Sequence, residues 1–453
     1  LTAPEAIEPF LADHRGLYRG RALAVALPRS TEEVSRLLAF CNERRIGVVP
    51  HGGNTSYCGG ATPDASGREL VVSLRRMNRI RAVDALNYSL TAEAGCVLVE
   101  VQRAADEAER LFPLSLGAEG SCQIGGNLST NAGGTQVLRY GMMRDLVLGL
   151  EVVLADGRVL PGLSTLRKDN TGYDVKSLFL GAEGTLGVIT AASLKLYPKP
   201  RAIATALVAV VDVRAAVALL AAMREASGDR VSSFELIPRI AIELVAKHLA
   251  QTIEPLDRSH AWYALCELTS SGSNEGFDAA LERALAAALE NGLVLDAVVA
   301  QNERERAAFW RLRETIPEAQ RRDGASLKHD VSVPVASLPE FVERAGSWFA
   351  AHVPEGRLVA YGHVGDGNLH LNLNQAPGTD RERFLAREPE VKRAVHDLAQ
   401  QFHGSFSAEH GIGRLKIEEL ERYTSPVELD LMRAVKRALD PNGILNPGKV
   451  LRS

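Results

Sequence analysis

The sequence predicts an α+β fold that is divided over more than one domain. A chain of 453 residues is too long for a single ordinary core, so two or three domains are expected. Pro198 and Pro200 punctuate the end of a first region of mixed helices and strands. Beyond them, Ala- and Leu-rich helical stretches (214–226 and 276–291) alternate with strand-like runs such as Ala261–Leu268, which is typical of an antiparallel sheet covered by helices.

Local signals in the first region place a strand directly before a Gly-rich loop. The capping box Ser30–Glu33 predicts a helix start, and Ile46–Pro50 is predicted to be a short buried strand that enters the loop. A second strand is predicted at Leu70–Leu74, and a helix over Val97–Phe112. Asp156-Gly157 predicts the turn of a hairpin.

Composition and charge exclude several classes of function. A net charge of −4 with scattered Lys and Arg gives no electrostatic footprint for nucleic acid. No apolar run reaches transmembrane length, and the first residues lack the features of a secretory signal. The five cysteines are widely spread and form no CxxC pair, which predicts a reducing compartment such as the cytoplasm and argues against a cysteine-based metal site.

The segment Tyr361–Asn372 carries the features of a metal site. Asp366-Gly367 is a signal for a two-residue hairpin turn, which would place His363 and His370 opposite each other. Opposed residues have Cβ atoms about 5 Å apart, so two imidazoles could share one ion. From His370 onward polar and leucine residues alternate, so that His370, Asn372 and Asn374 share one face of a strand.

Glu409 and His410 extend this prediction. Glu409 could supply a third ligand, and His410 would then be available for proton transfer. Two histidines and one carboxylate with an open coordination position suit a catalytic Zn²⁺ or a similar divalent ion. A pair of structural histidines in a polar hairpin is the alternative.

Three Gly-rich segments occur before residue 200. Gly52–Ser56 offers consecutive backbone N–H groups that can bind a phosphate. Gly125–Gly134 and Gly181–Gly187 repeat the same composition, and none of them has the Walker A or GxGxxG spacing. An ordinary turn would explain one such segment. Three of them predict a large ligand with a pyrophosphate and a polar ring system.

These motifs resemble those of the FAD-linked oxidase family with a vanillyl-alcohol-oxidase/PCMH-type flavin domain. Within that family the chain is most similar to the D-2-hydroxy-acid dehydrogenases of the D-2-hydroxyglutarate type. The matching segments, in chain order, are Pro50–Pro63, Gly117–Gly134, Tyr140–Asp145, Gly181–Ile189, Gly362–Asn372, Ser407–Gly413 and Asn446–Lys449.

The resemblance implies a domain organisation. Residues 1–199 would form a PCMH-type FAD-binding domain of two α+β subdomains. Residues 200–377 would form an α+β substrate domain with an antiparallel sheet and the metal-binding hairpin. Residues 378–453 would form a C-terminal helical segment that packs back on the FAD domain.

The resemblance also implies which residues contact FAD. They are Pro50, His51, Gly52, Gly53, Asn54, Thr55, Ser56, Gly59, Leu116, Gly117, Ser121, Gly125, Gly126, Ser129, Thr130, Asn131, Gly133, Tyr140, Glu183, Gly184, Gly187, Val188, Ile189 and Asn446. Residues 52–56 would hold the pyrophosphate, and Asn446 would approach the isoalloxazine. In this subfamily the flavin is usually not covalently attached, although His51 lies in the loop where some relatives carry a flavin-linking histidine.

The implied chemistry is a metal-assisted, FAD-dependent oxidation of a D-2-hydroxy acid, above all of D-2-hydroxyglutarate to 2-oxoglutarate. By resemblance, His363, His370 and Glu409 bind Zn²⁺ or Mn²⁺, and His410 is the base beside the substrate. Electrons would pass to a protein or quinone acceptor, such as an electron-transfer flavoprotein. The implied location is the cytoplasm or the surface of the inner membrane, and a homodimer is an open alternative.

Three further residues match the family's substrate contacts. They are the cations Arg313 and Lys328 and the amide Asn372. Enzymes of the human D-2-hydroxyglutarate type carry a Thr four residues after the substrate Arg, where this chain has Pro317. D-lactate and D-malate therefore remain alternative substrates. A non-catalytic nucleotide- or metal-binding protein is the alternative of a different class.

Overall fold

The computed structural model describes residues 1–249, 255–256, 258–272 and 277–452, and the chain divides into two compact units. Unit 1 comprises Leu1–Gly134, Gly141–Lys199 and Glu409–Ser453, and unit 2 comprises Thr135–Tyr140 and Pro200–Ala408. The segment 378–453, expected to act as one piece, is thus divided between the two units at residue 408.

Unit 1 is built from short helices and three sheets, with elements numbered along the whole chain. Its strands are β1 (Ala24–Ala26), β2 (Gly47–His51), β3 (Glu69–Ser73), β4 (Ile80–Asp84), β5 (Ser89–Glu93), β6 (Arg110–Leu111), β7 (Val147–Val153), β8 (Val159–Gly162), β9 (Val188–Lys195) and β10 (Tyr197–Pro198). Its helices are α1 (Pro4–Ile7), α2 (Thr31–Arg44), α3 (Leu98–Glu107), α4 (Ile124–Ser129), α14 (Ile417–Tyr423) and α15 (Pro426–Leu439), with 3₁₀ helices at Glu8–Phe10, Met143–Leu146 and Val175–Leu178.

Two strands in the sheets of unit 1 were predicted, β2 from Ile46–Pro50 and β3 from Leu70–Leu74. A parallel sheet has the order β1-β3-β2, an antiparallel sheet has the order β4-β5-β9-β7-β8, and β6 pairs with β10. Ser30 caps α2 as expected, because its side chain accepts from the Glu33 N–H at 3.3 Å. The helix predicted to reach Phe112 is wrong at its end. Glu109 adopts a left-handed φ of 55°, and the next two residues join strand β6.

The C-terminal segment of unit 1 is hydrogen-bonded to strand β2 of the parallel sheet. The Val48 N–H donates to the Ile444 carbonyl and the Asn446 N–H donates to the Val48 carbonyl, each at 2.7 Å. Ile444 and Leu445 are buried in the same core as Val48 and the apolar face of α2. Residues late in the chain are therefore part of the core of the first unit.

Unit 2 is larger in its sheet and richer in long helices. Its strands are β11 (Ala202–Val210), β12 (Val231–Pro238), β13 (Trp262–Ser270), β14 (Val294–Val299), β15 (Ser326–Leu327), β16 (Asp330–Ser332), β17 (Gly356–His363) and β18 (Asn368–Gln375). Its helices are α5 (Val137–Tyr140), α6 (Val213–Ser227), α7 (Arg239–His248), α8 (Phe277–Glu290), α9 (Glu303–Glu314), α10 (Ile316–Asp323), α11 (Leu338–His352), α12 (Arg381–Leu385) and α13 (Glu388–Gln401), with 3₁₀ helices at Val335–Ser337 and Val364–Asp366.

An antiparallel sheet forms the centre of unit 2, in the order β14-β11-β13-β12-β17-β18-β15, with β16 also paired to β18. Helices α6, α8, α11 and α13 share a core with one face, and α7, α9 and α10 share a core with the other. The predicted helices 214–226 and 276–291 are confirmed as α6 and α8, although residue 276 lies outside the described residues. The predicted α+β class is therefore confirmed. Over the described ranges, no helix is both long and apolar enough to cross a bilayer.

Candidate functional site

The three Gly-rich segments of unit 1 meet through backbone contacts. A Cβ added at Gly52 would lie 3.7 Å from Gly126 Cα, so the first segment lies directly against the second. One added at Gly53 would lie 2.2 Å from the carbonyl oxygen of Ser121, just before the second segment. The Glu183 N–H donates to the Ser129 carbonyl at 2.8 Å, which joins the third segment to the second. Segments that are far apart in the sequence thus form one surface of closely spaced backbone.

The tail residue Asn446 joins this surface. Its side-chain amide donates to the carbonyls of Gly60 (2.9 Å) and Glu183 (2.7 Å). The predicted FAD contacts all belong to unit 1, with the exception of Tyr140, which belongs to the short segment of unit 2. The side-chain NH₂ of Asn446 is thus used in contacts with the backbone. Its buried Oδ1 has no hydrogen-bond partner within the described residues.

The surface has the properties that a polar cofactor requires. An added Cβ at Gly126 meets no atom within 4 Å, and one at Gly52 meets its nearest atom at 3.7 Å. Both ring nitrogens of His51, Gln123 Oε1 and Asn127 Oδ1 are buried and have no hydrogen-bond partner in the described part of the chain. Burial lowers the pKa of His51 to about 4, so its ring is neutral at physiological pH. Buried polar atoms beside accessible backbone fit a large polar ligand such as FAD.

The carboxylate of Glu183 holds the segment that follows Glu409 and His410. Its oxygens accept from the N–H groups of Ile412 at 2.7 Å and Gly413 at 2.9 Å. Burial raises the pKa of Glu183 to about 7, although these two donors act in the opposite direction. Glu183 was predicted to contact FAD. In the structure its carboxylate holds the chain directly after the predicted base His410.

His410 is half-buried in unit 1 against the first Gly-rich segment. Its ring packs edge-on to Tyr57, with ring centroids 4.8 Å apart. A Cβ at Gly413 would lie 2.2 Å from the Cys58 carbonyl oxygen, so there is no room for a side chain at that position. Glu409 is also half-buried. Close backbone packing thus fixes the path of the chain directly after His410.

The predicted two-residue turn between His363 and His370 in unit 2 is wrong. Val364–Asp366 forms a 3₁₀ turn, and Gly367 follows it with a φ of 80°. As a result His370 lies opposite Tyr361 on β17, and His363 is paired with Glu235 on β12. The two imidazoles nevertheless remain neighbours, with ring centroids 5.8 Å apart.

A buried charge cluster surrounds His363. Glu235 Oε1 is hydrogen-bonded to His363 Nδ1, and Glu235 Oε2 accepts from Arg313 Nε at 2.7 Å. The side chain of Glu235 is fully buried, and Arg313 is 6% exposed. Burial alone would raise the pKa of Glu235, but the adjacent His363 and Arg313 lower it to about 2. The Arg313 guanidinium also lies over the Tyr361 ring, 4.8 Å from its centroid.

His370 and Asn372 lie on one face of β18, as predicted, and the leucines between them are buried on the other. His370 Nδ1 is 4.0 Å from Asp330 Oδ1. Asn372 is buried, donates to Gln320 Oε1 at 3.0 Å and accepts from the His329 N–H at 3.2 Å. The polar face of this strand is therefore part of a hydrogen-bonded interior.

Lys328 and Pro317 both belong to unit 2. Lys328 is exposed in the two-residue interval between β15 and β16. Pro317 occupies the first turn of α10, where a missing N–H costs nothing. Proline at this position, where related enzymes carry a Thr, is thus compatible with the helix, but it supplies no hydroxyl group.

Sequence reasoning missed Glu235, which contacts both a predicted ligand and a predicted substrate cation. A signal was available, because Glu235 is the only ionisable residue of strand β12, whose eight residues are all buried. A carboxylate in such a strand is rare unless it is paired. The identity of its partners depends on sheet register, which a linear motif does not reveal.

Comparisons with known proteins agree with these features. The model of the C-terminal domain of FAD linked oxidases matches residues 199–450, and the model of an FAD binding domain matches residues 22–161. The probable mitochondrial D-2-hydroxyglutarate dehydrogenase of Oryza sativa subsp. indica is 44% identical over 97% of this chain and 77% of its own length. The mitochondrial D-2-hydroxyglutarate dehydrogenase of Danio rerio is 41% identical over 100% and 82%, respectively.

Solved structures support the same fold. A p-cresol methylhydroxylase with bound substrate matches with a TM-score of 0.77 and 17% identity, covering 100% of this chain and 94% of that one. The predicted PCMH-type fold is therefore confirmed. The matches to both domain models and to full-length relatives show that this chain belongs to the FAD-linked oxidase family.

Proposed function

We propose that the protein oxidises D-2-hydroxyglutarate to 2-oxoglutarate, with FAD bound by the Gly-rich segments of unit 1. We further propose a divalent metal, Zn²⁺ or Mn²⁺, with His363, His370 and Glu409 as ligands. Residues 1–199 would supply the flavin domain and residues 200–377 the substrate domain. Electrons would leave the flavin for a protein or quinone acceptor.

The observation that carries this proposal is the cluster in unit 2. Two imidazoles with centroids 5.8 Å apart lie beside Arg313, a buried cation that can bind a carboxylate. A structural histidine pair would not require a buried Arg–Glu pair in contact with one of its rings. A cation near a potential metal site suits a substrate with a second carboxylate, in addition to the one next to its reacting carbon.

The residues would divide the chemistry between them. When bound, FAD supplies the hydride acceptor and a divalent ion supplies the Lewis acid that makes a hydroxyl group more acidic. Arg313 would orient the substrate through a carboxylate, and Lys328 would add a second positive charge. His410 would accept the hydroxyl proton, as an imidazole does near neutral pH. Asn372 would contribute an amide to the carboxylate next to the hydroxyl group.

The substrate class is supported by the relatives, which are named D-2-hydroxyglutarate dehydrogenases and are 41–44% identical over nearly the whole chain. D-malate and D-lactate are the second candidates. The specific observation in their favour is that Arg313 already has a carboxylate partner in Glu235. A substrate with a single carboxylate would therefore not leave this cation unpaired.

Anaerobic mixing of the FAD-loaded enzyme with each acid tests the proposal. D-2-hydroxyglutarate is expected to bleach the visible flavin absorbance fastest, followed by D-malate and then D-lactate, whereas L-2-hydroxyglutarate should leave the flavin oxidised. Faster reduction by D-lactate than by either diacid would contradict the proposed substrate. A flavin that none of these acids reduces would contradict the proposed reaction.

A further inference from the structure

We propose that Glu235 is a positioning residue that holds His363 and Arg313 in one fixed arrangement, so that metal binding and carboxylate binding depend on the same side chain. This inference rests on the proposed function, because it takes His363 as a metal ligand and Arg313 as a substrate contact. All three residues lie in unit 2, and Glu235 and His363 are register partners on adjacent strands.

The contact with His363 selects one ring nitrogen for the metal. Glu235 accepts the hydrogen bond of His363 Nδ1, so a metal can bind this ring only through Nε2. A carboxylate on the second nitrogen fixes the tautomer and orientation of a metal-binding histidine and makes it a stronger ligand. The loss of such a partner typically lowers metal affinity about 10- to 100-fold.

The contact with Arg313 fixes one edge of the guanidinium. Glu235 takes the Nε–H of a side chain that carries five N–H donors in a planar fork. The Tyr361 ring, which the guanidinium covers, lies opposite His370 in the hairpin. Arg313 is thus held on one edge by Glu235 and on one face by Tyr361.

The geometry also explains why a glutamate is required here. Its two oxygens make two different contacts, one to an imidazole and one to a guanidinium. A glutamine has one acceptor and one NH₂ donor at the same positions, so it can satisfy only one of these N–H groups. Glu235→Gln therefore breaks one contact and removes the charge with almost no change of volume.

Strand β13, next to β12, supplies a matched control. Glu267 is equally buried and pairs with Arg306 (2.8 Å), Trp310 (2.8 Å) and Thr205 (2.9 Å), but none of its described hydrogen bonds involves a histidine. Glu267→Gln also removes a buried carboxylate from a Glu–Arg pair of the same sheet. A general effect of disturbing the sheet should therefore appear in both variants.

The experiment titrates Zn²⁺ into chelator-treated, FAD-loaded protein against a competing metal indicator. Glu235→Gln is expected to weaken Zn²⁺ binding by about 10- to 100-fold, whereas Glu267→Gln keeps the wild-type affinity. At saturating Zn²⁺, Glu235→Gln should also raise KM for D-2-hydroxyglutarate, because Arg313 is no longer held. Flavin absorbance and thermal unfolding establish that each variant is folded, and Glu235→Asp replaces Glu235→Gln if the latter does not fold.

The outcomes separate this proposal from the proposed function. Wild-type Zn²⁺ affinity in Glu235→Gln overturns the role of Glu235. If His363→Ala loses Zn²⁺ in the same experiment, the proposed metal site is still supported. Equal weakening in Glu235→Gln and Glu267→Gln also overturns it, since the effect would then be general. An unchanged KM overturns the link to Arg313. Wild-type protein that binds no Zn²⁺ or Mn²⁺ overturns the metal site and this proposal together.

Discussion

Two glutamates, the half-buried Glu183 in unit 1 and the fully buried Glu235 in unit 2, have opposite pKa shifts. Burial raises the pKa of Glu183 to about 7, since its main partners are two backbone N–H groups. Burial acts in the same direction on Glu235, but His363 and Arg313 outweigh it and lower the pKa to about 2. One carboxylate is held by dipoles and the other by charges.

The contrast extends to the two regions around these residues. In unit 1 the candidate site is made of backbone, because glycines allow three distant segments to approach one another. In unit 2 it is made of ionisable side chains whose partners come from neighbouring strands and from helix α9. Perturbations of the two regions should therefore affect different properties, namely flavin binding in the first and metal or substrate binding in the second.

Metal removal should separate the two regions most strongly. Treatment with a chelator is expected to abolish turnover and to leave FAD bound, because the proposed ligands His363 and His370 are not among the flavin segments. Flavin absorbance of the desalted protein and activity before and after Zn²⁺ or Mn²⁺ addition provide the measurement. Full activity of metal-free protein would show that the histidine pair is structural.

His410→Ala should lower kcat by about 10²- to 10⁴-fold, the usual contribution of a general base. Its metal content is expected to stay at the wild-type level, whereas Glu409→Ala should lose metal. Steady-state kinetics and elemental analysis of both variants check this division. If the two neighbours behave alike in both measurements, the assigned roles are wrong.

Arg313→Ala should have a smaller effect that is specific to the substrate. We expect kcat/KM for D-2-hydroxyglutarate to fall by about 10- to 100-fold, since a hydrogen bond to a charged group is worth roughly 1.5–3 kcal/mol. Arg306→Ala, which removes the partner of Glu267, is the matched control. Equal losses for D-2-hydroxyglutarate and D-lactate would place Arg313 at the carboxylate that both acids share.

Glu183→Gln should change how the stability of the protein depends on pH, and with a defined sign. The folded-state pKa of about 7 lies above the ordinary value of 4.5, so the folded protein binds this proton more tightly. The contribution of this proton to the free energy of unfolding is fully present at pH values below 4.5 and is lost as pH rises through about 7. The wild type should therefore lose on the order of 2 kcal/mol relative to Glu183→Gln between about pH 5 and pH 8.

Thermal unfolding of both proteins across this pH range gives the measurement. Glu151→Gln is a control within unit 1, because hydrogen bonds from Thr31 and Arg81 outweigh burial and lower the pKa of Glu151. A depressed pKa should contribute stability above the ordinary value and lose it at lower pH. Parallel pH profiles for Glu183→Gln and the wild type would contradict the raised pKa.

Much of the fold was predictable because its signals are local. The cap at Ser30, the Asp156-Gly157 turn and the long helices α6 and α8 depend on residues that are adjacent in the sequence. The C-terminal end of α3 was not predictable. Helix periodicity continues to Phe112, but pairing of Arg110–Leu111 with Tyr197–Pro198 ends the helix early.

The site shows the same division between local and distant information. The motifs select the Gly-rich segments and both histidines correctly as neighbours, whereas the turn between the histidines was wrong. Gly367 lies against the Val333 carbonyl, where a Cβ would come within 2.0 Å, and this distant contact shapes the turn. Glu235 also becomes visible only when the tertiary structure is known, because its partner His363 lies on the neighbouring strand β17 and its partner Arg313 lies on helix α9.

The pairing of Val48 with the tail around Leu445 has a consequence for biosynthesis. A ribosome adds roughly 5–20 residues per second, so Leu445 emerges about 20–80 s after Val48. All of unit 2 is made in that interval, while unit 1 still lacks the residues that complete its core. The flavin segments also receive the amide of Asn446 only after residue 446 has been made. We therefore expect stable FAD incorporation to require this tail, and nascent chains stalled before residue 440 to remain colourless.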